Sequence, residues 1–447
     1  MKMQPSNTKQ VQKCFPIFRM SDPILREFAS TSLYVGNTCT YKLPFYINLE
    51  DCINPHISIV GMSGSGKTFL AKSLLIRAII EAGFGATILD WTGEYSNAIN
   101  MLGEKSIDVS KERGGILDLS KSVAYIKDAI TEAISLDKVE SLQLEKILNE
   151  IQKPATLAYI TNNAENNAFY TLSSKLKRLS GISIFDSVST FDSRSILDGL
   201  KCILLANLKN DFQKSVSATL LLKIAIEQMH SKGSSKVNRI LIIDEAWKLF
   251  NSRTLLSTLF RESRKYGISV IIATQIMKDI SNEIIANSGT LVVFKMQNIS
   301  DYDILIKNGI ISESDINRIR SLPVGGCLVY SNYKYEGTTK KAFIEKVQGF
   351  DFEVYTLKGD KMDFYITYKK FMETMDKLGF DRSIKSKVLE NLSRHDSSIL
   401  LDEFVKDLMD SNLGRESIVP FLRILGIPDK EIVRAYSIAS GVVIEPR

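Results

Sequence analysis

His56-Ile57-Ser58-Ile59-Val60-Gly61-Met62-Ser63-Gly64-Ser65-Gly66-Lys67-Thr68 decides the architecture of this chain. An apolar run leads into a glycine-rich loop, and the loop opens straight into a stretch, 67–81, whose Leu70, Leu74, Leu75, Ala78 and Ile79 share one helical stripe. Residues 61–68 fit the pattern G-x-x-x-x-G-K-[ST]. Glycine at these positions lets successive backbone N–H groups converge on phosphate oxygens without a Cβ in the way. The helix that follows adds the positive end of its dipole. In such a loop Lys67 reaches the β- and γ-phosphates and the Thr68 hydroxyl ligates Mg²⁺. The expected nucleotide set is therefore Gly61, Ser63, Gly64, Ser65, Gly66, Lys67, Thr68 and Phe69.

Outward from this loop, from about 56 to 350, short apolar runs alternate with helical periodicity. Strands are expected at His56–Val60, Ala86–Asp90, Lys201–Ala206, Arg239–Asp244, Ile268–Thr274, Thr290–Phe294 and Cys327–Tyr330. Several are almost continuous in Ile, Leu and Val, as strands covered on both faces are. The expected fold class is α/β, a mostly parallel sheet with helices on both faces. Residues 118–195 interrupt the alternation with helix-like patterns only and are read as a helical insertion. Beyond about 351 the strand signal fades into short amphipathic helices, beginning with Phe364–Leu378. The division expected is a β-rich arm over 1–50, a nucleotide-binding domain over 51–350 and a helical domain over 351–447.

A second cluster of chemistry lies in Arg239-Ile-Leu-Ile-Ile-Asp244-Glu245-Ala246-Trp247. An aspartate at the carboxyl end of a core strand can hold the Mg²⁺ shell, and the adjacent glutamate can polarise an attacking water. Metabolic kinases with the same loop have little use for such a pair, because activated water would waste ATP. In Phe260-Arg261-Glu262-Ser263-Arg264-Lys265-Tyr266-Gly267, Arg264 and secondarily Arg261 are candidates to reach a neighbouring subunit's γ-phosphate. The strand after them ends in Thr274-Gln275, where Gln275 could sense the γ-phosphate or the water. Asp90 and Glu94, in Asp90-Trp91-Thr92-Gly93-Glu94-Tyr95, either line the edge of the site or cap a helix.

Composition narrows the class. With 447 residues, 44% of them hydrophobic and 24% charged, the chain is an ordinary globular protein with room for two or three domains. The five cysteines lack metal-ligand spacing and are expected to be reduced. No run of 18 apolar residues is present, so no transmembrane helix is expected, and Met1–Lys13 is too polar for a signal peptide. A cytoplasmic location is expected, with docking at the inner face of the membrane if a membrane-bound partner recruits the chain. The net charge is +6, and from residue 351 onward 15 Lys and Arg face 17 Asp and Glu, so the first 350 residues carry +8. That excess suits a polyanion and does not prove one.

Taken in order, GMSGSGKTF, ILDWTGEY, ILIIDEAW, RESRKYGISVIIATQ and LPVGGCLVY resemble the HerA/FtsK superfamily of RecA-like motors. Their flavour is similar to the conjugation ATPases of type IV secretion systems and to archaeal DNA-transfer relatives. The resemblance covers about residues 45–350. It implies a RecA-like P-loop fold, ATP and Mg²⁺ as cofactors, and a homo-hexameric ring that threads DNA through a basic channel. It further implies Lys67 and Thr68 as the phosphate-loop pair, Asp244 on the metal, Glu245 as base, Gln275 as sensor and Arg264 acting across subunits. The helical insertion is similar to that of conjugation-type ATPases, whereas 55 residues leave no room for the N-terminal β-barrel common in HerA-type proteins. Lys209 and Lys278 are candidate channel contacts near strand ends. The function expected is DNA translocation driven by ATP hydrolysis. The alternatives are DNA end-processing, viral genome packaging, and an assembly or secretion ATPase that moves no polymer.

Overall fold

The computed structural model describes residues 32–441, apart from 41, 81, 103, 113–122, 152–155, 180–181, 183–194, 232–235, 250–252, 335–338, 349–353, 361 and 393–397. In chain order the first part runs β1 (Ser32–Thr38), β2 (Pro44–Asn48), β3 (Ile57–Val60), α1 (Lys67–Ile80), β4 (Gly85–Asp90), α2 (Ser96–Met101) and β5 (Ile107–Asp108). The helices α3 (Val123–Ile134), α4 (Lys138–Glu150), α5 (Leu157–Asn166) and α6 (Tyr170–Lys177) follow. The chain returns through β6 (Leu200–Leu204), α7 (Asp211–Ser231), β7 (Arg239–Ile243), α8 (Arg253–Glu262), β8 (Ile268–Thr274), α9 (Asn282–Asn287) and β9 (Thr290–Phe294). Then come α10 (Ile299–Lys307), α11 (Glu313–Ser321), β10 (Cys327–Asn332) and β11 (Thr339–Val347).

These strands build one 11-stranded sheet in the order β2-β1-β11-β10-β9-β3-β8-β7-β4-β6-β5. From β9 to β5 every pairing is parallel; β10, β11, β1 and β2 extend the sheet as an antiparallel wing. The expected strands are all present, β8 and β9 with the bounds read from the sequence. All seven residues of β8 are buried, which explains its uninterrupted apolar run. Within β7 the period-2 alternation sends Ile240 and Ile242 into the core beneath α1, and Leu241 and Ile243 into the core of the opposite face. Because β3 sits between β8 and β9, its loop emerges at the crevice above the carboxyl ends of the parallel strands, where open α/β sheets bind ligands.

The interval 118–195 is helical where described. A capping box fixes the start of α4: Glu140 N donates to Asp137 Oδ1 at 2.8 Å, and Asp137 N donates to Glu140 Oε2 at 2.9 Å. The sequence reading missed α5, whose polar LAYITNNAEN buries only Ile160, Thr161 and Ala164. It also missed β5, a two-residue strand that closes the sheet edge beside β6. The four helices and α7 share one apolar core with the sheet.

The C-terminal part is largely helical, as expected, and it also carries a small sheet. Its described residues hold a three-stranded sheet, β12 (Val354–Lys358), β13 (Asp363–Thr367) and β14 (Ser398–Leu400), in the order β13-β12-β14. Around it lie α12 (Tyr368–Lys377), α13 (Arg382–Leu392), α14 (Leu401–Asp410), α15 (Arg415–Leu425) and α16 (Asp429–Ser440). The helix expected over 364–378 begins only at Tyr368. Before it, Phe364 and Ile366 are buried while Tyr365 is 72% exposed, a period of two that marks a strand. The arm expected over 1–50 is described only from residue 32. There β1 pairs with both β2 and β11, so it belongs to the main sheet.

His56, just before β3, lies in the core, with Nδ1 accepting the Val270 N–H at 3.1 Å. Burial, with the Arg264 cation adding to it, lowers its pKa to about 3. A folded-state pKa below that of the unfolded chain stabilises the fold fully above about 6.5, and that stability is lost as pH falls towards about 3. We therefore expect the melting temperature to drop steadily from pH 6.5 to 4. The drop should be shallower in His56→Gln, whatever the variant's starting stability. Parallel slopes in the two proteins would place the acid lability elsewhere.

Candidate functional site

The loop of residues 61–68 is held from below by its neighbours in the sheet. Gly61 N donates to Thr274 O at 3.3 Å and Met62 N donates to Lys295 O at 2.8 Å. A Cβ on Gly61 would lie 2.6 Å from the Phe294 Cβ, so this position cannot carry a side chain without moving β9. Gly66, at φ 113°, has the Cα of Gly325 3.3 Å from where a Cβ would stand, and Gly325 N donates to Ser65 O at 3.1 Å. The glycine pair of Pro323-Val324-Gly325-Gly326 thus clasps the phosphate loop. The sequence alone gives that block no role.

Lys67 is buried at the start of α1, and its Nζ donates across the loop to Met62 O at 2.9 Å. Burial lowers its pKa, while Glu245, then Asp244 and Glu94, pull it back up. Ser63 and Gly64 are exposed at the loop tip, and Thr68 and Phe69 are half-buried. The Ser65 hydroxyl is buried without a hydrogen-bond partner among the described residues.

Asp244 stands just past β7, 3% exposed. Burial pushes its carboxyl up to about 7, and the nearby carboxylates of Glu245, Asp90 and Glu94 push in the same direction. Thr92 Oγ1 donates to its Oδ2 at 3.4 Å. Such a strained acid beside a phosphate loop is relieved by a cation. Glu245 lies in the left-handed region at φ 50°, unusual for a residue with a side chain. Both its oxygens are engaged: Gln275 Nε2 donates to Oε1 at 2.7 Å, and the Trp247 indole N–H donates to Oε2. The structure thus brings Lys67, Asp244, Glu245 and Gln275 together, as the sequence reading expected. Trp247 and Thr92 lie within the blocks ILIIDEAW and ILDWTGEY, but the sequence alone gives neither a role.

These residues fit Mg²⁺·ATP. The glycine loop leaves space for phosphates, Lys67 supplies a buried cation, and Thr68 and Asp244 offer an oxygen each. Among the described residues no group of three or more His, Cys, Asp or Glu could hold a metal alone. Magnesium shared between one or two protein oxygens, phosphates and water needs no such group.

Asp90 and Glu94 border the site, since their carboxylates act on Asp244, and the two arginines lie away from it. Asp90 is a turn former: it accepts Gly93 N at 2.8 Å and Tyr95 N at 3.0 Å, and burial raises its pKa. Glu94 is exposed, 3.9 Å from Lys72. Arg264 and Arg261 precede β8, whose opposite end meets the phosphate loop. Seven residues at ~3.3 Å each put Arg264 on the order of 20 Å from its own site. Its Nη1 donates to Asn54 Oδ1 at 3.2 Å. Arg261 is tied to Glu283 at 3.2 Å. Lys209 and Lys278 are exposed, at the same end of the sheet as the phosphate loop.

A glycine-cradled phosphate loop on the central strand, with an Asp-Glu pair two strands away in a parallel sheet, defines a RecA-like P-loop nucleoside triphosphatase fold. Comparison with known proteins narrows that class. The chain belongs to the family described as Helicase HerA, central domain, whose model matches residues 33–304. It is 24% identical over 277 residues to the DNA import protein CedB of Sulfolobus acidocaldarius; the match covers 57% of this chain and 46% of CedB. The chain therefore spans a little under half the length of that relative. Among solved structures, VirB4 of Thermoanaerobacter pseudethanolicus matches with a TM-score of 0.59 at 19% identity, over 72% of this chain and 97% of that one. The plasmid coupling protein TrwB in complex with ADP and Mg²⁺ matches with a TM-score of 0.53 at 15% identity, over 74% and 94%. At these identities the two structures speak for the fold. Among the described residues, no helix is long and apolar enough to cross a membrane.

Proposed function

We propose that this chain hydrolyses ATP and converts the hydrolysis into movement of DNA, working as a ring of identical subunits in DNA transfer. The observation that carries the hydrolytic part is the Glu245 carboxylate, held at the end of β7 by two donors and near enough to Lys67 to raise its pKa. In this reading the residues of loop 61–68 bind the triphosphate, and Lys67 exchanges its bond to Met62 O for phosphate oxygens. Thr68 and Asp244 would hold Mg²⁺, which when bound neutralises phosphate charge. Glu245 takes a proton from water as the water oxygen bonds to the γ-phosphorus. The bond from that phosphorus to the bridging oxygen breaks, and its electron pair leaves with ADP. Gln275 holds Glu245 and senses whether the γ-phosphate is present.

Arg264, too far from its own site, would complete a neighbour's, which calls for assembly; a hexamer suits the family. The DNA part rests on family membership, the similarity to CedB and the +8 carried by the first 350 residues. Docking on a membrane-bound transfer complex would then be peripheral.

The test is ATP turnover with and without single-stranded and duplex DNA at rising salt. Phosphate contacts release counterions, so stimulation by DNA should fall steeply between about 50 and 200 mM salt and depend little on sequence. Turnover that DNA leaves unchanged would sink DNA as the cargo and leave hydrolysis standing.

A further inference from the structure

We propose that Trp247 is a positioning residue that aims Glu245 at the phosphate site, and that Lys248, set between Trp247 and Trp91, ties this aim to helix α7. The inference rests on the reading of Glu245 as the base and deepens it.

The local chain geometry brings the indole there. With Glu245 left-handed, Ala246–Lys248 wind into a 3₁₀ turn, closed by Lys248 N donating to Glu245 O at 2.9 Å. The turn folds Trp247 back so that its N–H meets the carboxylate two residues earlier. Gln275 arrives on the other oxygen from the end of β8. Two donors from two strand ends fix both the place of the carboxylate and the rotation of its plane. Of these, the amide sits on a flexible stem, while the indole is a rigid plate turning on two torsions. The carboxylate so held lies close to the lysine of the phosphate loop: of the acids that raise the Lys67 pKa, Glu245 acts most strongly. The bond therefore holds the base towards the phosphates.

What holds the indole is equally specific. Lys248 Nζ lies 5.5 Å from the Trp247 ring centre and 5.4 Å from that of Trp91, within cation–π range of both. It also lies 3.8 Å from Asp211 Oδ1 in the first turn of α7, and Lys214, three residues on, donates to Trp91 O at 3.5 Å. Trp91 is 2% exposed and shares its core with Ile126, Leu144 and Leu172 of the insertion. A shift of α7 or of the insertion is thus passed through two indoles and one ammonium to the base. The device has a built-in reporter, since these are the only two tryptophans in the chain.

Trp247→Phe keeps the ring and removes the N–H. Loss of one charge-assisted hydrogen bond at the base should lower kcat about tenfold or more, with KM for ATP within about twofold of the parent. Trp247→His, which restores a ring N–H, should recover part of the loss. Lys248→Met, which keeps the stem and removes the charge, should lower kcat less and change the tryptophan emission. Unchanged or raised kcat in Trp247→Phe, or a loss carried by KM, overturns the proposal. Should that variant lack a cooperative melt, Lys248→Met decides: parental kcat with parental emission refutes the coupling. Glu245→Gln is run beside them. If it still turns over ATP, the assignment of the base has failed rather than the positioning role.

Discussion

Glu245→Gln should bind Mg²⁺·ATP as tightly as the parent and lose turnover by about a thousandfold, within the range a positioned general base contributes. The amide is nearly isosteric, and its oxygen can still accept from Gln275 or Trp247. The change therefore removes proton acceptance without emptying the site. The rest of the triphosphate's binding apparatus, residues 61–68, lies on a different strand end and stays in place. Single-turnover hydrolysis alongside binding of a fluorescent ATP analogue separates the two effects. Retained turnover would mean that the water is activated elsewhere, and weakened binding would mean that Glu245 shapes the nucleotide pocket.

Lys67→Ala should fail earlier in the cycle, with kcat/KM down at least about a thousandfold and nucleotide affinity visibly weakened. Lys67 is 6% exposed, and its ammonium is the cation that the loop offers to the phosphates. Its removal also leaves the carboxylates of Glu245 and Asp244 facing the triphosphate with less to offset them. Competition binding with ATP and ADP measures the loss. ADP should suffer less than ATP, because the side chain serves the γ-phosphate as well as the β. Equal affinity for ATP in variant and parent would remove Lys67 from the site.

How much of this was legible beforehand depends on where each residue sits. Strands buried on both faces declare themselves, which is why β8 and β9 were read to the residue. β1, SLYVGNT, breaks its apolar run with Ser, Gly, Asn and Thr, and β11, TKKAFIEKV, is largely exposed and polar; both were overlooked, and both lie in the antiparallel wing. β13 was absorbed into a helix because Phe364, Ile366, Phe371 and Met375 are all apolar, and only burial shows the change of period between them. In the site, residue types whose chemistry is tied to spacing were found: the glycines, Lys67, Asp244, Glu245 and Gln275. Trp247 and the Gly325 clasp were not, because their roles follow from the left-handed Glu245 and from the packing of Gly325 on Gly66. Nothing in the letters predicts either arrangement.

Helix α1 is shared property. Leu70, Leu74 and Leu75 lie in the core under the sheet, while Ile76, together with Ala98 of α2, lies in the core built by the C-terminal helices. The boundary drawn near residue 350 therefore divides the chain but does not divide its apolar interior. A protein cut there would keep every nucleotide contact and bare an oily spot on the very helix that carries Lys67. Conversely, any shift of α1 on nucleotide binding would reach the C-terminal helices directly, through Ile76.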